Sequence, residues 1–375
     1  MGSGAAVLIA ALSGRALAAS ARRGGYVPLV ADMFGDVDTL DAAHRHGRLS
    51  GSLVSGIEEQ NLIETLQALS EGQEPVGVVY GTGFEDRPQL LRRLAERWPL
   101  FGNGADVVAK LKNPQIFSSI CSLLGVPSPE ISLRKPTVAD GWFAKRRGGA
   151  GGAHIRPADA CTDARGPIYY QRKVSGTPIS ACFLADGERA FILGLSAQWP
   201  APAPHQPYRY GGAVRPAPLP PRTADQVTEA VERIAAVTSL VGLNSADFLV
   251  DGERFWLLEI NPRPSATLDI FETREMSLFA QHVAACSGRL AATSAHARDA
   301  KAKAVSIVYA EEDIVSCSVT GWPPWAADLP VDGSMIKVGE PVCTVYACDF
   351  TAAGARALAE KRRKTILSWT RARNS

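Results

Sequence analysis

Short apolar runs alternate with amphipathic stretches along the first hundred residues of the chain. The apolar runs are AAVLIA, YVPLVAD and PVGVVY, and helical stretches such as RALAASARR and NLIETLQALS lie between them. Strands of a parallel sheet read as continuous apolar runs, because helices cover both faces. The pattern therefore predicts an α/β unit with a largely parallel sheet, whose first strand over residues 5–12 is joined by a Ser13-Gly14 turn to a helix.

The pattern changes four times farther along the chain. Residues 105–125 have helical periodicity, whereas residues 200–222 are rich in proline and predict a long excursion over the surface or a cleft mouth. Thr223 and Gln226 form a capping box that predicts the start of a helix. Near the end, the apolar strands KAVSIVYA and PVCTVYA and a final helix from Ala352 indicate a small accessory unit.

Residues 245–269, SADFLVDGERFWLLEINPRPSATLD, form the most informative string in the chain. DFLV and RFWLLEI predict two strands, and Asp251 with Gly252 predicts the tight turn between them. The string therefore predicts a β-hairpin.

Three oxygen-bearing side chains lie on one face of this predicted hairpin. Asp247 and Glu259 are expected to be neighbours across the two strands, and Asn261 lies two residues beyond Glu259 on the same face. Two carboxylates and an amide oxygen suit Mg²⁺, which prefers oxygen ligands and bridges phosphates. Arg263, two residues farther on, adds a cation. The alternative is a surface hairpin with ordinary solvated charges, against which the flanking Trp, Leu and Pro residues argue.

The ExNxR string with an upstream aspartate resembles the metal-binding hairpin of the ATP-grasp superfamily. The resemblance spans about residues 110–269 and implies an α/β ATP-grasp fold with an N-terminal Rossmann-like subdomain, a central lid and a C-terminal subdomain. With it, we expect four regions in the chain. They are an N-terminal substrate-side subdomain (1–105), a lid or central subdomain (106–190), a metal-binding subdomain (191–300) and an accessory segment (301–375).

Two lysines and a glycine-rich loop resemble the phosphate-binding parts of that family. Lys112 resembles the first phosphate-contacting lysine, and Lys145, on a strand that enters the loop, resembles the second. Glycines let backbone N–H groups approach phosphate oxygens, and neighbouring cations neutralise their charge. The loop residues expected to bind ATP are Gly148, Gly149, Gly151 and Gly152. Without the metal hairpin, the same loop would fit a flexible linker equally well.

Residues 169–184, YYQRKVSGTPISACFL, resemble the hinge strand that contacts adenine in the family. The match assigns four residues to the adenine site, partly through their backbone groups: Gln171, Arg172, Lys173 and Val174. Many family members carry glutamates in and just after this strand, where this chain has a glutamine and a proline. The resemblance therefore leaves the recognition of the ribose open.

By this resemblance the chain is expected to be an ATP-dependent, amide-forming C–N ligase that needs Mg²⁺, for which Mn²⁺ can substitute. Lys145 and Arg263 are the expected catalytic residues, and Arg263 would stabilise an acyl phosphate and the tetrahedral intermediate that follows. The strings YGTGFE, FGNG and RYGGAVRP resemble a predicted carboligase branch of tetrahydromethanopterin or methylofuran pathways. That branch suggests a small carboxylate such as glutamate and an amine as substrates, with Arg209 and Arg215 as carboxylate contacts.

Two other functions remain open from the sequence. Residues 331–347, VDGSMIKVGEPVCTVYA, resemble accessory segments of bicarbonate-activating carboxylases of the ATP-grasp type, which would use bicarbonate as the carboxylate. The missing hinge glutamates would also fit a nucleotide-binding module without catalysis. The retained metal residues and both lysines argue against that second alternative.

The composition limits the classes of binding partner that the chain is expected to have. The 375 residues carry 40 basic and 38 acidic side chains, a net charge of +2 that provides no field for nucleic acid or a membrane surface. Seven cysteines without a CxxC pair predict neither a disulfide framework nor structural zinc, and fit a reducing cytoplasm. The apolar N-terminus lacks the basic region of a signal peptide, so a buried strand is the better interpretation. We expect small-molecule partners, and a homodimer is compatible with these features.

Overall fold

Alternating strands and helices form the first third of the chain, as the apolar pattern predicts. The computed structural model describes residues 4–161, 167–273, 276–290, 301–315 and 321–374. Five strands form a parallel sheet in the order β3-β2-β1-β6-β7, and β4 and β5 form a small separate hairpin. The elements are β1 (Ala6–Ala10), α1 (Arg15–Arg23), β2 (Val27–Asp32), α2 (Val37–Ala42), β3 (Arg45–Arg48), β4 (Gly51–Ser52), β5 (Gly56–Ile57), α3 (Glu59–Ser70), β6 (Val78–Tyr80), α4 (Gln89–Ala95), β7 (Leu100–Phe101), α5 (Ala105–Lys112) and α6 (Pro114–Leu123).

A four-stranded antiparallel sheet follows, which we call the lid sheet. Its strands lie in the order β10-β9-β11-β8. They are β8 (Ile131–Ser132), β9 (Trp142–Arg146), β10 (Arg156–Pro157) and β11 (Ile168–Arg172). The glycine-rich stretch connects β9 to β10, so it lies at one end of this sheet.

Most of the remaining strands form one eight-stranded antiparallel sheet, which we call the large sheet. Its order is β16-β15-β12-β13-β14-β17-β21-β19, and β18 pairs with β20 apart from it. The elements are β12 (Thr177–Asp186), β13 (Ala190–Pro200), β14 (Tyr210–Arg215), α7 (Pro221–Thr238), β15 (Val241–Asp251), β16 (Arg254–Asn261), α8 (Leu268–Phe271), α9 (Leu278–Cys286), β17 (Ala302–Tyr309), β18 (Ile314–Val315), β19 (Ala326–Ala327), β20 (Met335–Ile336), β21 (Pro341–Asp349) and α10 (Ala352–Asn374). The boundaries expected after residues 190 and 300 therefore fall inside one sheet, and the four-part division stays a prediction.

Alternate residues of β1 pack into two different cores. Val7 and Ile9 lie in a core that includes residues of α1 and α9, whereas Leu8 and Ala10 lie among residues of α3 and α4. Helix α9 also contacts β12 and β15 of the large sheet. The opposite face of the large sheet packs against α7 and α10. Helix α9 therefore packs between the N-terminal sheet and the large sheet.

Two helix boundaries differ from those that the sequence predicts. The helical pattern over residues 105–125 is interrupted at Asn113, whose side chain accepts hydrogen bonds from the backbone N–H groups of Gln115 and Ile116 and so caps α6. The helix start predicted from the capping box at Thr223 is wrong, because α7 already begins at Pro221. The Thr223 side chain is buried and donates instead to the carbonyl of Gly252.

The proline-rich stretch over residues 200–222 is not only a surface excursion. It contains β14, which pairs with β13 and β17 inside the large sheet. The run Gly211, Gly212, Ala213 and Val214 is buried there. A six-residue strand between two proline clusters has too little periodicity to be recognised from sequence, whereas pairing with its two neighbours defines it in the structure.

A buried ion-pair network joins the first helix to the last third of the chain. Arg15 donates to the carboxylate of Asp269 at 3.0 and 2.7 Å and to that of Asp328 at 2.9 Å. The Tyr346 hydroxyl donates to Asp269 at 2.6 Å. Arg15 is only 9% exposed, so water cannot replace these partners.

Replacing Arg15 by Met is expected to lower the free energy of unfolding by about 3 kcal/mol, because it leaves buried carboxylates without their cation. The matched control is Arg92→Met, which removes an exposed pair with Asp106 and should cost less than about 0.5 kcal/mol. Urea unfolding followed by circular dichroism measures both values. Equal losses in the two variants would contradict the structural role of the Arg15 network.

Candidate functional site

The hairpin of β15 and β16 brings the three predicted metal ligands together. Asp247 lies directly opposite Glu259, and Asn261 lies opposite Ser245. The Asn261 side-chain amide donates to Asp247 Oδ2 at 2.9 Å. The predicted cross-strand neighbours are therefore confirmed, although the two turn residues are Gly252 and Glu253 rather than Asp251 and Gly252.

The charge of this group fits a divalent cation. Asp247 Oδ1 is buried and has no hydrogen-bond partner. Burial and the neighbouring Glu259 carboxylate raise the pKa of Asp247, because two like charges in a poorly solvated site repel each other. Two adjacent carboxylates with a free oxygen, together with an amide oxygen, are ligands of the kind Mg²⁺ prefers. Within the described residues no three His, Cys, Asp or Glu side chains converge on a metal site, so the candidate rests on two carboxylates and one amide.

Lys112, at the end of α5, reaches the same group. Its Nζ donates to Asn261 Oδ1 at 2.9 Å and to Glu259 Oε2 at 3.3 Å. Burial works to raise the pKa of Glu259, but Lys112 and Lys145 outweigh it and bring this pKa down to about 2. Glu259 is therefore ionised at neutral pH.

Lys145, on β9 of the lid sheet, is buried on the opposite side of the cleft. Its Nζ donates to Gln171 Oε1 at 3.2 Å. Burial acts to lower the pKa of Lys145, yet Tyr169 and Glu259 raise it above its usual value. The lid sheet thus supplies a charged ammonium group that faces the carboxylates of the large sheet.

The glycine-rich loop is shaped by close contacts that only glycine permits. Three of its glycines have left-handed backbone angles: Gly148 (φ 68°), Gly151 (φ 66°) and Gly152 (φ 71°). A Cβ atom on Gly152 would lie 1.9 Å from the carbonyl oxygen of Tyr208, and one on Gly149 would lie 2.4 Å from the His154 ring. Burial, followed by the charge of Lys145, lowers the pKa of His154 to about 4, so its ring is neutral at pH 7.

The predicted hinge strand is divided between two sheets. Gln171 belongs to β11 and is buried, while Arg172 and Lys173 are exposed at the start of the crossing to β12. The backbone N–H groups of Arg172 and Lys173 donate to the carbonyls of Glu130 and Gly141, both at 2.8 Å. Val174 is half-buried in the crossing. The adenine role of these four residues stays a prediction.

Arg263 is held by a residue that the sequence interpretation missed. Its Nε donates to the carboxylate of Glu85, and its Nη1 donates to the carbonyl of Pro264 at 3.1 Å. Both Arg263 and Glu85 are buried. Burial opposes ionisation of Glu85, but Arg263 and Lys112 hold its pKa below the usual value. The signal was present in YGTGFE, since side chains at the carboxyl ends of parallel strands commonly line ligand sites.

The two arginines expected to contact a substrate carboxylate have other partners. Arg209 donates to the carbonyls of Ala201 and Gly339, and its guanidinium lies 3.6 Å from the centroid of the Tyr309 ring. Arg215 donates to the carbonyl of Ile270. Both side chains stabilise the large sheet and its loops, so the structure does not favour the expected role.

Comparison with known proteins agrees with this geometry. Residues 112–267, which contain both lysines, the glycine-rich loop and the hairpin, match the family model described as ATP-grasp domain. The biotin carboxylase of Campylobacter jejuni, solved as a β,γ-ATP complex, has a TM-score of 0.72 at 14% identity and covers 93% of this chain and 89% of that one. N5-carboxyaminoimidazole synthetase of Staphylococcus aureus has a TM-score of 0.66 at 14% identity, and the match covers 95% of this chain and 96% of that one. The chain has the ATP-grasp fold.

The relatives found by sequence are much longer proteins than this chain. The carbamoyl phosphate synthase large chain of Deinococcus radiodurans is 25% identical over 236 residues, which are 55% of this chain. The same protein of Thermus thermophilus is 23% identical over 230 residues. This chain spans only 22% of the length of these curated relatives. In the described part of the chain, no helix is both long and apolar enough to cross a membrane.

Replacing Asp247 by Asn is expected to raise the melting temperature in EDTA by roughly 2 °C, because it removes the repulsion with Glu259. The same variant should lose the stabilisation that Mg²⁺ gives to the unaltered protein. The control is Asp251→Asn, an exposed carboxylate on the same hairpin. Thermal melting with EDTA and with Mg²⁺ measures both effects, and an undiminished Mg²⁺ response of Asp247→Asn would contradict the metal site.

Proposed function

We propose that the protein is an ATP- and Mg²⁺-dependent ligase that activates a carboxylate as an acyl phosphate and transfers the acyl group to an amine. The observation that carries the proposal is the arrangement of opposite charges across one cleft. Asp247 and Glu259 of the large sheet face Lys145 of the lid sheet, and Lys112 touches the same carboxylate group. The match of residues 112–267 to the ATP-grasp domain supports ATP as the nucleotide.

Each charged group has a separate task in this proposal. Asp247, Glu259 and Asn261 would hold Mg²⁺, which neutralises and orients the phosphates of ATP when bound; Mn²⁺ would substitute for it. Lys145 and the backbone N–H groups of the glycine-rich loop would bind phosphate oxygens from the lid side. Lys112 would do the same from the other side once a divalent cation takes over Glu259 and Asn261.

The chemistry needs positioning rather than covalent help from the protein. An oxygen of the substrate carboxylate attacks the γ-phosphorus, the bond to the bridging oxygen breaks, and ADP leaves. The neutral amine then attacks the acyl carbon, phosphate departs, and the amine proton passes to solvent. Arg263 is the group we assign to the negative charge that develops on the acyl oxygen, since its guanidinium is fixed by Glu85 and cannot swing away.

The substrates that we propose are a small carboxylate, such as glutamate, and an amine-bearing precursor of a one-carbon cofactor. The support is the resemblance of YGTGFE, FGNG and RYGGAVRP to carboligases of tetrahydromethanopterin or methylofuran pathways. The loop YGTGFE contains Glu85, and RYGGAVRP contains β14, so two of the strings lie in structured parts of the molecule.

Activation of bicarbonate is the second candidate function. It is favoured by the likeness to the biotin carboxylase of Campylobacter jejuni and to N5-carboxyaminoimidazole synthetase. The same charged cleft would serve, with bicarbonate as the carboxylate. Dependence of ADP release on added bicarbonate separates this function from amide formation.

The test is a screen of carboxylate and amine pairs for ADP release, with mass spectrometry of the product. Replacing Glu259 by Gln is expected to lower turnover at least about 100-fold with the fold retained, because it removes one charge of the metal site. The control is Glu253→Gln in the turn of the same hairpin, where the side chain is 71% exposed and turnover should not change.

An amide product together with ADP and phosphate would support ligation. Release of AMP would contradict the acyl-phosphate route, and a product that forms only with bicarbonate would establish the second candidate. Equal turnover in Glu259→Gln and the unaltered protein would exclude the proposed role of the hairpin.

A further inference from the structure

Three arginines beside the cleft have guanidinium nitrogens without a partner. Arg87 Nε and Nη2, Arg146 Nε and Arg147 Nε are all buried from solvent and donate no hydrogen bond. The Nε atoms of Arg209, Arg215 and Arg263, by contrast, all donate to carbonyl or carboxylate oxygens. A buried donor of a charged group without an acceptor is costly, so these nitrogens point to an anionic ligand.

Arg87 and Arg146 meet at the small hairpin of β4 and β5. A Cβ atom on Gly56 would lie 2.1 Å from Arg87 Nη2, so the hairpin backbone rests on that guanidinium. Arg146 Nη1 lies 3.5 Å from the carbonyl oxygen of Val54, two residues away in the same hairpin. Two guanidinium groups, one from the N-terminal unit and one from the lid sheet, therefore share one small piece of backbone.

The arginines also lie next to the proposed reacting centre. Gly148, which follows Arg147, packs so closely that a Cβ atom would lie 2.5 Å from the Cα of Asp86 and 2.6 Å from the carbonyl oxygen of Glu85. Glu85 is the residue that holds Arg263. Arg146 and Arg147 precede Gly148, and Arg87 follows Asp86, so this close approach brings the two segments together next to the pair of Glu85 and Arg263.

The local charge balance favours an anionic group at this hairpin. The nearest carboxylate to Arg87 is that of Asp86, and its Oδ1 lies 3.9 Å from Arg87 Nε, too far for a hydrogen bond. Glu85 is already paired with Arg263. Arg87 and Arg146 bring two positive charges to the hairpin, and among the described residues Asp86 is the one carboxylate within 4 Å of either, so one positive charge is left for a ligand to match.

We propose that Arg87 and Arg146 bind a second anionic group of the carboxylate substrate, so that the enzyme selects acids with two carboxylates over acids with one. This inference rests on the proposed function, since it places the first carboxylate beside Arg263. The planar guanidinium fork suits a second carboxylate, which it can bind through two parallel hydrogen bonds. The β4–β5 hairpin covers this end of the substrate.

The test measures binding by isothermal titration calorimetry, in the presence of MgADP and at constant ionic strength. The probes are the dicarboxylates from malonate to adipate, each compared with the monocarboxylate of the same chain length. At least one dicarboxylate is expected to bind the unaltered protein about tenfold or more tightly than its monocarboxylate. Arg87→Gln should abolish that preference and leave the affinity for MgADP unchanged.

Arg92→Gln is the matched control, because Arg92 is an exposed arginine on the neighbouring helix α4. It should retain the dicarboxylate preference. Arg87→Lys should recover part of the preference, since the charge returns without the fork. Melting temperatures without ligand check that the variants are folded.

Two outcomes would overturn the inference. Equal binding of every dicarboxylate and its monocarboxylate would exclude a second anionic subsite. A loss of MgADP affinity in Arg87→Gln with an unchanged dicarboxylate preference would assign the guanidinium groups to the nucleotide phosphates instead. Neither measurement requires turnover, so failure of this inference is distinguishable from failure of the proposed ligase reaction, which the Glu259→Gln assay tests.

Discussion

Repulsion between the carboxylates of Asp247 and Glu259 is the constraint on which the cleft depends. The antiparallel register of β15 and β16 holds the two groups opposite each other, and burial denies them full solvation. Such a pair persists only if cations surround it. Lys112 comes from the end of α5 and Lys145 from the lid sheet, so the charge of one hairpin accounts for the convergence of three separate parts of the chain.

The same constraint explains why Lys112 contacts the carboxylate group directly. The Lys112 ammonium group, which donates to Glu259 and Asn261, supplies part of the positive charge that the two carboxylates require. A divalent cation at these oxygens would compete with that ammonium group and release it towards the phosphates. Metal binding and phosphate binding would then be coupled through one side chain, without movement of the backbone.

The features that could be predicted from the sequence are those set by local chemistry. The two strands of the hairpin and its tight turn follow from neighbouring residues, but Asp247 faces Glu259 only because a β-bulge at Leu258 shifts the register by one residue. The parallel N-terminal sheet follows from its continuous apolar runs, and the glycines of the loop permit the positive φ angles at Gly148, Gly151 and Gly152. These short-range signals were sufficient for the α/β class, whereas the two lysines were assigned through the resemblance to the ATP-grasp family.

What the sequence could not supply are contacts between distant segments. Glu85 and Arg263 are far apart in the chain, and nothing in either motif specifies their pairing. The partners of Arg209 and Arg215 are backbone carbonyls, which every residue offers, so no pattern distinguishes them. Strand β14 exists because β13 and β17 flank it, and its own proline-bounded sequence has no periodicity to indicate a strand.

The contacts between Arg15 and residues far along the chain also affect folding during synthesis. Its partners Asp269, Asp328 and Tyr346 are all made much later, and at ribosomal rates Tyr346 follows Arg15 by roughly 20–60 s. Helix α9, which covers one face of the N-terminal sheet, is likewise synthesised long after that sheet. The first hundred residues therefore emerge from the ribosome with an apolar face uncovered and a guanidinium group unpaired.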